Sequence, residues 1–74
     1  MNKHQKLKEV MKITIADISY ESGESTTMVH DYLNSGKIAK AERVAKIETG
    51  IINVAQKRIE NASKLLEELL WVMN

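Results

Sequence analysis

Apolar residues recur at intervals of three and four along most of the chain, the spacing of one face of an α-helix. The pattern contains no strictly alternating stretch of the kind that forms a half-buried strand. Three glycines, Gly23, Gly36 and Gly50, and the absence of proline divide the sequence into helix-sized pieces. The pattern therefore predicts an all-α fold of four to five helices.

Two short helices are predicted at the start of the chain. Residues 5–12 form the first, and Thr14 is a suitable N-cap for a second helix over 15–22, because its side-chain oxygen can accept a backbone N–H. Asp17 then lies in the first turn, where a negative charge is stabilised by the helix dipole. The apolar stripe of the first helix consists of Leu7, Val10 and Met11.

A third helix is predicted over residues 26–33, with Ser25 as its N-cap. Gly23 can take a positive φ and so make a tight turn between the second and third helices. Residues 34–36, Asn-Ser-Gly, tolerate left-handed backbone and should end the third helix. Small Ser19 is expected where these two helices touch, and the shared core should contain Ile15, Ile18, Val29 and Leu33.

The second half of the chain predicts a helix over 38–48, a break at Thr49 or Gly50, and a last helix from 51 to 73. The last helix carries a heptad seam, which is typical of pairing between helices. One interpretation is that the helix folds back on its own core, and part of its apolar surface must do so. In the preferred interpretation, residues 1–50 form the main helical domain, and residues 51–74 form a C-terminal helix that completes the core and joins two copies as a homodimer. The seam is Ile52, Ala55, Ile59, Ala62, Leu66, Leu69 and Met73, of which all but Ala55 are candidate interface residues.

The segment over residues 14–34 resembles a helix-turn-helix of the lactose-repressor headpiece type, and also the phage Cro and lambda-repressor type. The matching residues are Ile15, Ile18, Gly23, Ser25, Val29, Tyr32, Leu33 and Asn34, and the likeness extends over roughly residues 12–51. The resemblance implies a sequence-specific regulator of transcription that binds double-stranded DNA as a homodimer. The small size of the chain is typical of phage- or plasmid-type repressors.

The resemblance also implies a role for the exposed face of the third helix, which would enter the major groove. The candidate base-contacting residues on that face are Thr26, Thr27, His30 and Asp31. The candidate phosphate contacts are Ser25, Lys37, Lys40, Arg43 and Lys12.

Charge is unevenly distributed, although the whole chain carries only +1. Residues 1–12 hold four lysines and one glutamate, and residues 37–47 hold four basic groups and one glutamate, so each block is +3. Residues 13–36 hold four acidic residues and no Lys or Arg. The basic blocks favour phosphate contacts. The acidic block, with Glu24 and Asp31 where similar proteins are often apolar or basic, favours an alternative: a protein-interaction module such as an antirepressor or adaptor.

Other function classes find no support in the sequence. No cysteine is available for a disulfide or a thiolate zinc site, and the two histidines lie 26 positions apart without further ligands. No catalytic constellation, cofactor motif or metal site is recognisable, so we expect a protein that is not an enzyme. No membrane-spanning segment or small-molecule effector domain is evident, and we expect a cytoplasmic location.

Overall fold

The computed structural model describes residues 2–34 and 40–73 and confirms the all-α prediction for those residues. They contain four helices and no strand: α1 Lys3–Val10, α2 Ile15–Ser22, α3 Thr26–Asn34 and α4 Ala41–Met73. Helices α1 and α2 pack against α4, and α3 packs against α2. The described part of the chain is elongated, measuring 54 × 23 × 16 Å, because α4 is much longer than the other helices.

Helix α2 begins and ends where the sequence predicts. The Thr14 side-chain oxygen accepts the Asp17 N–H at 3.1 Å, and the Asp17 carboxylate accepts the Thr14 N–H at 3.2 Å, so the two residues form a reciprocal capping box. The helix ends at Gly23, whose φ of 76° lies in the left-handed region and whose N–H donates to the Ser19 carbonyl at 3.0 Å. Both the predicted N-cap and the predicted glycine turn are confirmed.

The Ser25 cap is also confirmed, since its Oγ accepts the Met28 N–H at 3.2 Å. Helix α3 then extends to Asn34, one residue beyond the predicted end. The remainder of the predicted stop, Ser35 and Gly36, lies outside the described residues. Helix α1 begins two residues earlier than expected, because the Asn2 side chain accepts the Gln5 N–H at 2.8 Å and caps it.

One buried core joins α2, α3 and the first half of α4. Ile18 and Val29 lie in it as predicted, whereas Ile15 and Leu33 are only partly buried at its edge. The predicted contact residue Ser19 has a different role, since its Oγ donates to the Glu24 carbonyl at 2.6 Å and stabilises the turn. The buried residues are Ile13, Ile18, Val29, Tyr32, Ile47, Ile51, Val54 and Ala55.

The predicted break at Thr49 or Gly50 is wrong, because α4 is continuous from Ala41 to Met73. Gly50 is buried inside this helix, and a Cβ on it would lie 3.0 Å from the Ser22 Cβ. The missing side chain lets α2 approach α4 closely, which offsets the cost of a glycine within a helix. The boundary placed between residues 1–50 and 51–74 consequently falls inside one helix.

The second half of α4 leaves the body formed by α1, α2, α3 and the first half of α4. We call residues 59–73 of α4 the tail; its described side chains, those of residues 59–72, are all exposed. At 1.5 Å per residue, the whole 33-residue helix is about 50 Å long, and the tail accounts for about 22 Å of it. No helix among the described residues combines the length and apolar character needed to cross a membrane.

Candidate nucleic-acid interface

The start of α3 presents four polar side chains on one exposed face. Thr26, Thr27, His30 and Asp31 are all exposed, and their spacing places them on neighbouring positions of the helix surface. The opposite side of α3 is buried through Val29 and Tyr32. The structure thus brings together, on a single face, every residue that the sequence predicts to contact bases.

His30 is positioned by a neighbour one turn further along α3. The Asn34 amide nitrogen lies 2.8 Å from His30 Nε2, close enough to donate to that ring nitrogen when it is unprotonated. This contact orients the imidazole on the exposed face of α3. The sequence marks Asn34 as part of the family resemblance and as the start of the predicted helix stop, and the contact with His30 gives it a further role.

A shallow groove beside this face brings α1 close to α3. Its walls include Gln5 and Lys8 from α1, and His30 and Leu33 from α3. Lys8 therefore lies next to the candidate base-contacting residue His30. In the sequence it is one of the four lysines of the N-terminal block that is predicted to favour phosphate contacts. Lys8 follows the partly buried Leu7 directly, so it borders the apolar stripe with which α1 packs against the core.

Tyr32 fixes α3 to the rest of the body. Its hydroxyl donates to the Glu48 carboxylate at 2.8 Å and accepts the Asn2 amide N–H at 3.2 Å, while Gln5 donates to its backbone carbonyl at 3.3 Å. His4 Nδ1 contacts the same Glu48 carboxylate at 3.1 Å. Burial, and then the adjacent Glu48 carboxylate, raise the pKa of Tyr32 to about 12. Helices α1, α3 and α4 are thus joined at one phenol group.

The candidate phosphate contacts are not all at one place. Lys40 and Arg43 are exposed at the start of α4, whereas Lys12 lies beside Arg58, fifteen residues after Arg43 and about 22 Å further along the helix axis. Ser25 is exposed at the N-terminus of α3, with its oxygen accepting the capping bond. Lys37 lies outside the described residues.

Arg58 is a structural residue that is not among the residues predicted from the sequence. Its guanidinium donates to the carbonyls of Met11 and Lys12, the latter at 3.2 Å, and to the Asp17 carboxylate at 2.8 Å. The Thr14 backbone N–H, then the Thr14 hydroxyl, and then Arg58 hold the pKa of Asp17 below its ordinary value of 3.8. Arg58 follows the buried Ile47 by eleven residues, which is three helical turns. The two residues therefore lie on the same face of α4, and this spacing indicates that Arg58 faces the body.

A second ion pair holds α2 against α4 nearby. Lys57 donates to the Glu21 carboxylate, and this hydrogen bond raises the pKa of Lys57. Lys57 and Arg58 therefore serve the packing of α2 and the turn before it. Their charges remain at the end of the body from which the tail leaves.

The predicted dimer seam divides into two parts. Ala55 is buried within its own chain, which agrees with the interpretation that part of the last helix completes the core. The other described seam residues are open to solvent, with Ile52 38%, Ile59 54%, Leu66 57% and Leu69 62% exposed, and Ala62 also exposed. The side chain of Met73 lies outside the described part.

Within residues 2–34 and 40–73, no group of three or more His, Asp or Glu side chains is arranged to hold a metal ion. Comparisons with known protein families, with curated proteins and with solved structures found no match to this chain. The case for a function therefore rests on the geometry of α2, α3 and α4 and on the resemblance of residues 14–34.

Proposed function

We propose that this protein is a sequence-specific, duplex-DNA-binding regulator of transcription that acts as a homodimer through a helix-turn-helix formed by α2 and α3. The observation that carries the proposal is the exposed face of α3. Thr26, Thr27 and His30 lie together on the side of α3 opposite its buried residues. Insertion into a major groove requires a helix with one face packed on the protein and the opposite, polar face exposed.

The side chains on this face have the chemistry to read base edges. Threonine methyl groups can contact the thymine methyl, and threonine hydroxyls can bond to either donor or acceptor groups. His30 can donate to a base acceptor, and Asp31 can accept from the cytosine N4 amino group. We propose that these four residues give sequence preference.

Phosphate binding would come from other elements. Lys40 and Arg43 at the start of α4 are exposed, and Lys8 of α1 lies in the groove beside His30. These positions favour lysine and arginine contacts to the backbone on the flanks of the reading helix, with Lys37 and Ser25 as further contacts. Lys12 would reach a more distant phosphate, because it lies about 22 Å from Arg43 along α4.

Dimerisation is proposed through α4, since a two-part palindromic site needs two copies. The exposed apolar residues Ile59, Leu66 and Leu69 support this assignment. By analogy, we propose to place the chain with small repressors of phages and plasmids.

A second candidate function is favoured by one observation. The exposed face of α3 carries Asp31 and no lysine or arginine, and a carboxylate close to DNA phosphates is unfavourable. A protein-interaction module, such as an antirepressor or adaptor, would keep the same fold without strong DNA binding and pair with another regulator through α4.

Titration of labelled random-sequence duplexes by fluorescence anisotropy, repeated at several salt concentrations, distinguishes the two candidates. The DNA-binding proposal expects saturable binding whose affinity falls linearly on a log–log plot against salt, with a slope of about −0.9 per phosphate contact. Lys64→Ala, which removes one exposed charge from the tail, is the control and should leave the slope unchanged. Absence of binding even at low salt would exclude the DNA-binding function and favour the interaction module.

A further inference from the structure

The tail exposes the same side of α4 that the first half of the helix buries. Residues eleven apart in an α-helix are three turns apart and lie on nearly the same face. Buried Val54 and Ala55 are therefore continued by Leu65 and Leu66, which are 61% and 57% exposed. Leu69 likewise continues the line of Ile47 and Arg58. The tail is thus an uncovered continuation of the surface on which α1 and α2 pack.

This surface is broad as well as apolar. On a helical projection at 100° per residue, eight tail residues occupy a continuous arc of about 160°. The described side chains of the tail are all exposed, so a partner that covered this arc would bury apolar surface and stabilise this part of α4. The arc consists of Ile59, Ala62, Leu65, Leu66, Leu69, Leu70, Val72 and Met73.

The position of the body decides how a second copy can cover the tail. If two tails paired face to face in parallel, both bodies would lie on the pairing side at the same height and would occupy the same space. An antiparallel pair avoids this clash, because each body then lies at the opposite end of the paired tails. We propose that two copies pair antiparallel through residues 59–73, with the two-fold axis near Leu66. This inference gives the geometry of the proposed homodimer and rests on that proposal.

Two further exposed hydrophobic residues, Tyr20 and Val10, lie near the end of the body that the second tail would approach in this arrangement. Tyr20, 86% exposed, borders a shallow groove together with Lys57, Arg58 and Asn61. Val10, 70% exposed, precedes Met11, whose carbonyl accepts from Arg58. In an antiparallel pair centred on Leu66, positions 71 and 72 of the second copy lie opposite positions 61 and 60 of the first copy, respectively. The end of the second tail would therefore lie beside Tyr20, in the groove that also contains the ion-paired Asp17, Glu21, Lys57 and Arg58.

Charge favours the same orientation. The tail carries Glu60, Glu67 and Glu68 against Lys64, so it is net negative, and its C-terminal end also carries the negative pole of the helix dipole. At the end of the body from which the tail leaves, Lys57 and Arg58 pair with Glu21 and Asp17, and Lys12 adds one further positive charge. Antiparallel pairing brings the acidic end of each tail to this net positive end of the other body. Parallel pairing would instead place the two acidic C-terminal ends of the tails together.

Spin labels on single cysteines test the orientation cleanly, because the chain has no cysteine of its own. Gln56→Cys and Lys64→Cys are exposed positions outside the apolar arc. In the antiparallel pair the two Gln56 positions are about 30 Å apart along the axis and the two Lys64 positions about 6 Å. Pulsed dipolar spectroscopy should therefore give a label distance at position 56 longer by about 10 Å or more than at position 64.

The alternatives give different results in the same experiment. Equal distances at the two positions would indicate a parallel dimer and overturn the inference, while leaving a homodimeric DNA-binding protein possible. A monomer in sedimentation, whether or not it associates with lipid vesicles or another protein, would overturn both the inference and the proposed homodimer. An antiparallel dimer that fails to bind any duplex would support the inference and refute the DNA-binding proposal.

Discussion

Gly50, in the first third of α4, lies directly against Ser22, the last residue of α2. A Cβ added to Gly50 would be 3.0 Å from the Ser22 Cβ and 3.3 Å from the Ser22 backbone nitrogen. It would also lie 3.4 Å from the Ile18 carbonyl oxygen. Two of these three atoms belong to backbone, so the contact cannot be relieved by moving the end of a flexible side chain. The distance between α2 and α4 depends on this glycine.

Gly50→Ala should lower stability despite the better helix propensity of alanine. Alanine gains about 1 kcal/mol over glycine inside a helix, but overpacking a close contact costs about 1–3 kcal/mol, so we expect a net loss of about 1 kcal/mol. Urea denaturation measures the difference. Thr49→Ala, at the exposed neighbouring position, should be stabilising by a few tenths of a kcal/mol instead. A Gly50→Ala protein more stable than the parent would show that the two helices separate freely.

The sequence predicted features of this fold that depend on local chemistry. Thr14 and Gly23 define the ends of α2 through a side-chain cap and a positive φ, both of which can be inferred from a few neighbouring residues. Gly50 was misassigned because its effect depends on Ser22, which is 28 positions away. A glycine read in its local context marks a break, whereas here it permits close packing within a continuous helix.

Asp17→Asn should reduce stability near neutral pH and make less difference in acid. The folded protein lowers the pKa of Asp17 below 3.8, so its carboxylate stabilises the fold above the unfolded pKa. That contribution is lost as the pH falls through the lower pKa of the folded state. The difference in unfolding free energy between the parent and Asp17→Asn should therefore be constant from pH 5 to 7 and shrink below about pH 4.

Glu60→Gln, which removes one exposed carboxylate from the tail, is the control for this pH series. Arg58→Met should remove part of the same effect, because Arg58 is one of the groups that lower the pKa of Asp17. If the difference in unfolding free energy between the parent and Asp17→Asn persisted unchanged to pH 3, the capping box and Arg58 would not be responsible for it.

Replacing Lys37, Lys40 and Arg43 together with alanine should weaken binding to all duplex sequences. Each lost phosphate contact reduces the salt slope by about 0.9, so the triple variant should be flatter by up to about 2.7. Circular dichroism should show a folded protein, because Lys40 and Arg43 are exposed. Parent affinity and an unchanged slope would contradict the proposed docking of α4.

Lys8→Ala tests whether the groove beside His30 takes part in DNA binding. We expect its salt slope to fall by about 0.9, whereas Lys64→Ala on the tail should have no effect. Equal slopes for both variants and the parent would place α1 away from the DNA.

Changes on the exposed face of α3 should alter which sequences are preferred. Thr26→Ala, Thr27→Ala and His30→Ala remove groups proposed to contact base edges, and each should change the preference at one or two positions by about 1–3 kcal/mol. Selection from random duplexes gives the consensus for each variant. Asn34→Ala should broaden the preference at the His30 position, since it removes the partner of the ring. An identical consensus for all variants would show that α3 does not read bases.

The candidate site was predictable only as far as helix periodicity allows. Thr26, Thr27 and His30 could be placed on one face because their spacing and the apolar Val29 determine which side is buried. The contacts of Arg58 with Met11 and Asp17 join residues more than 40 positions apart, and no local pattern indicates such partners. The same limit applies to Tyr32, which belongs to the family resemblance but whose hydrogen bond to Glu48 joins residues 16 positions apart.

Leu66→Glu should convert the proposed dimer to monomers and weaken DNA binding, although residue 66 is remote from α3. Leu66 is 57% exposed in a single chain, so a glutamate there costs the monomer little. At the dimer interface the same charge would be buried without a partner, which costs several kcal/mol. Because two linked headpieces bind a two-part site far more tightly than one, DNA affinity should fall by about 100-fold or more.

Gln56→Glu adds the same charge at an exposed position outside the apolar arc and should leave both association and affinity unchanged. Sedimentation and anisotropy on the three proteins decide the matter: a Leu66→Glu protein that remains dimeric, or that binds DNA as the parent does, would show that the tail is not the surface joining two copies.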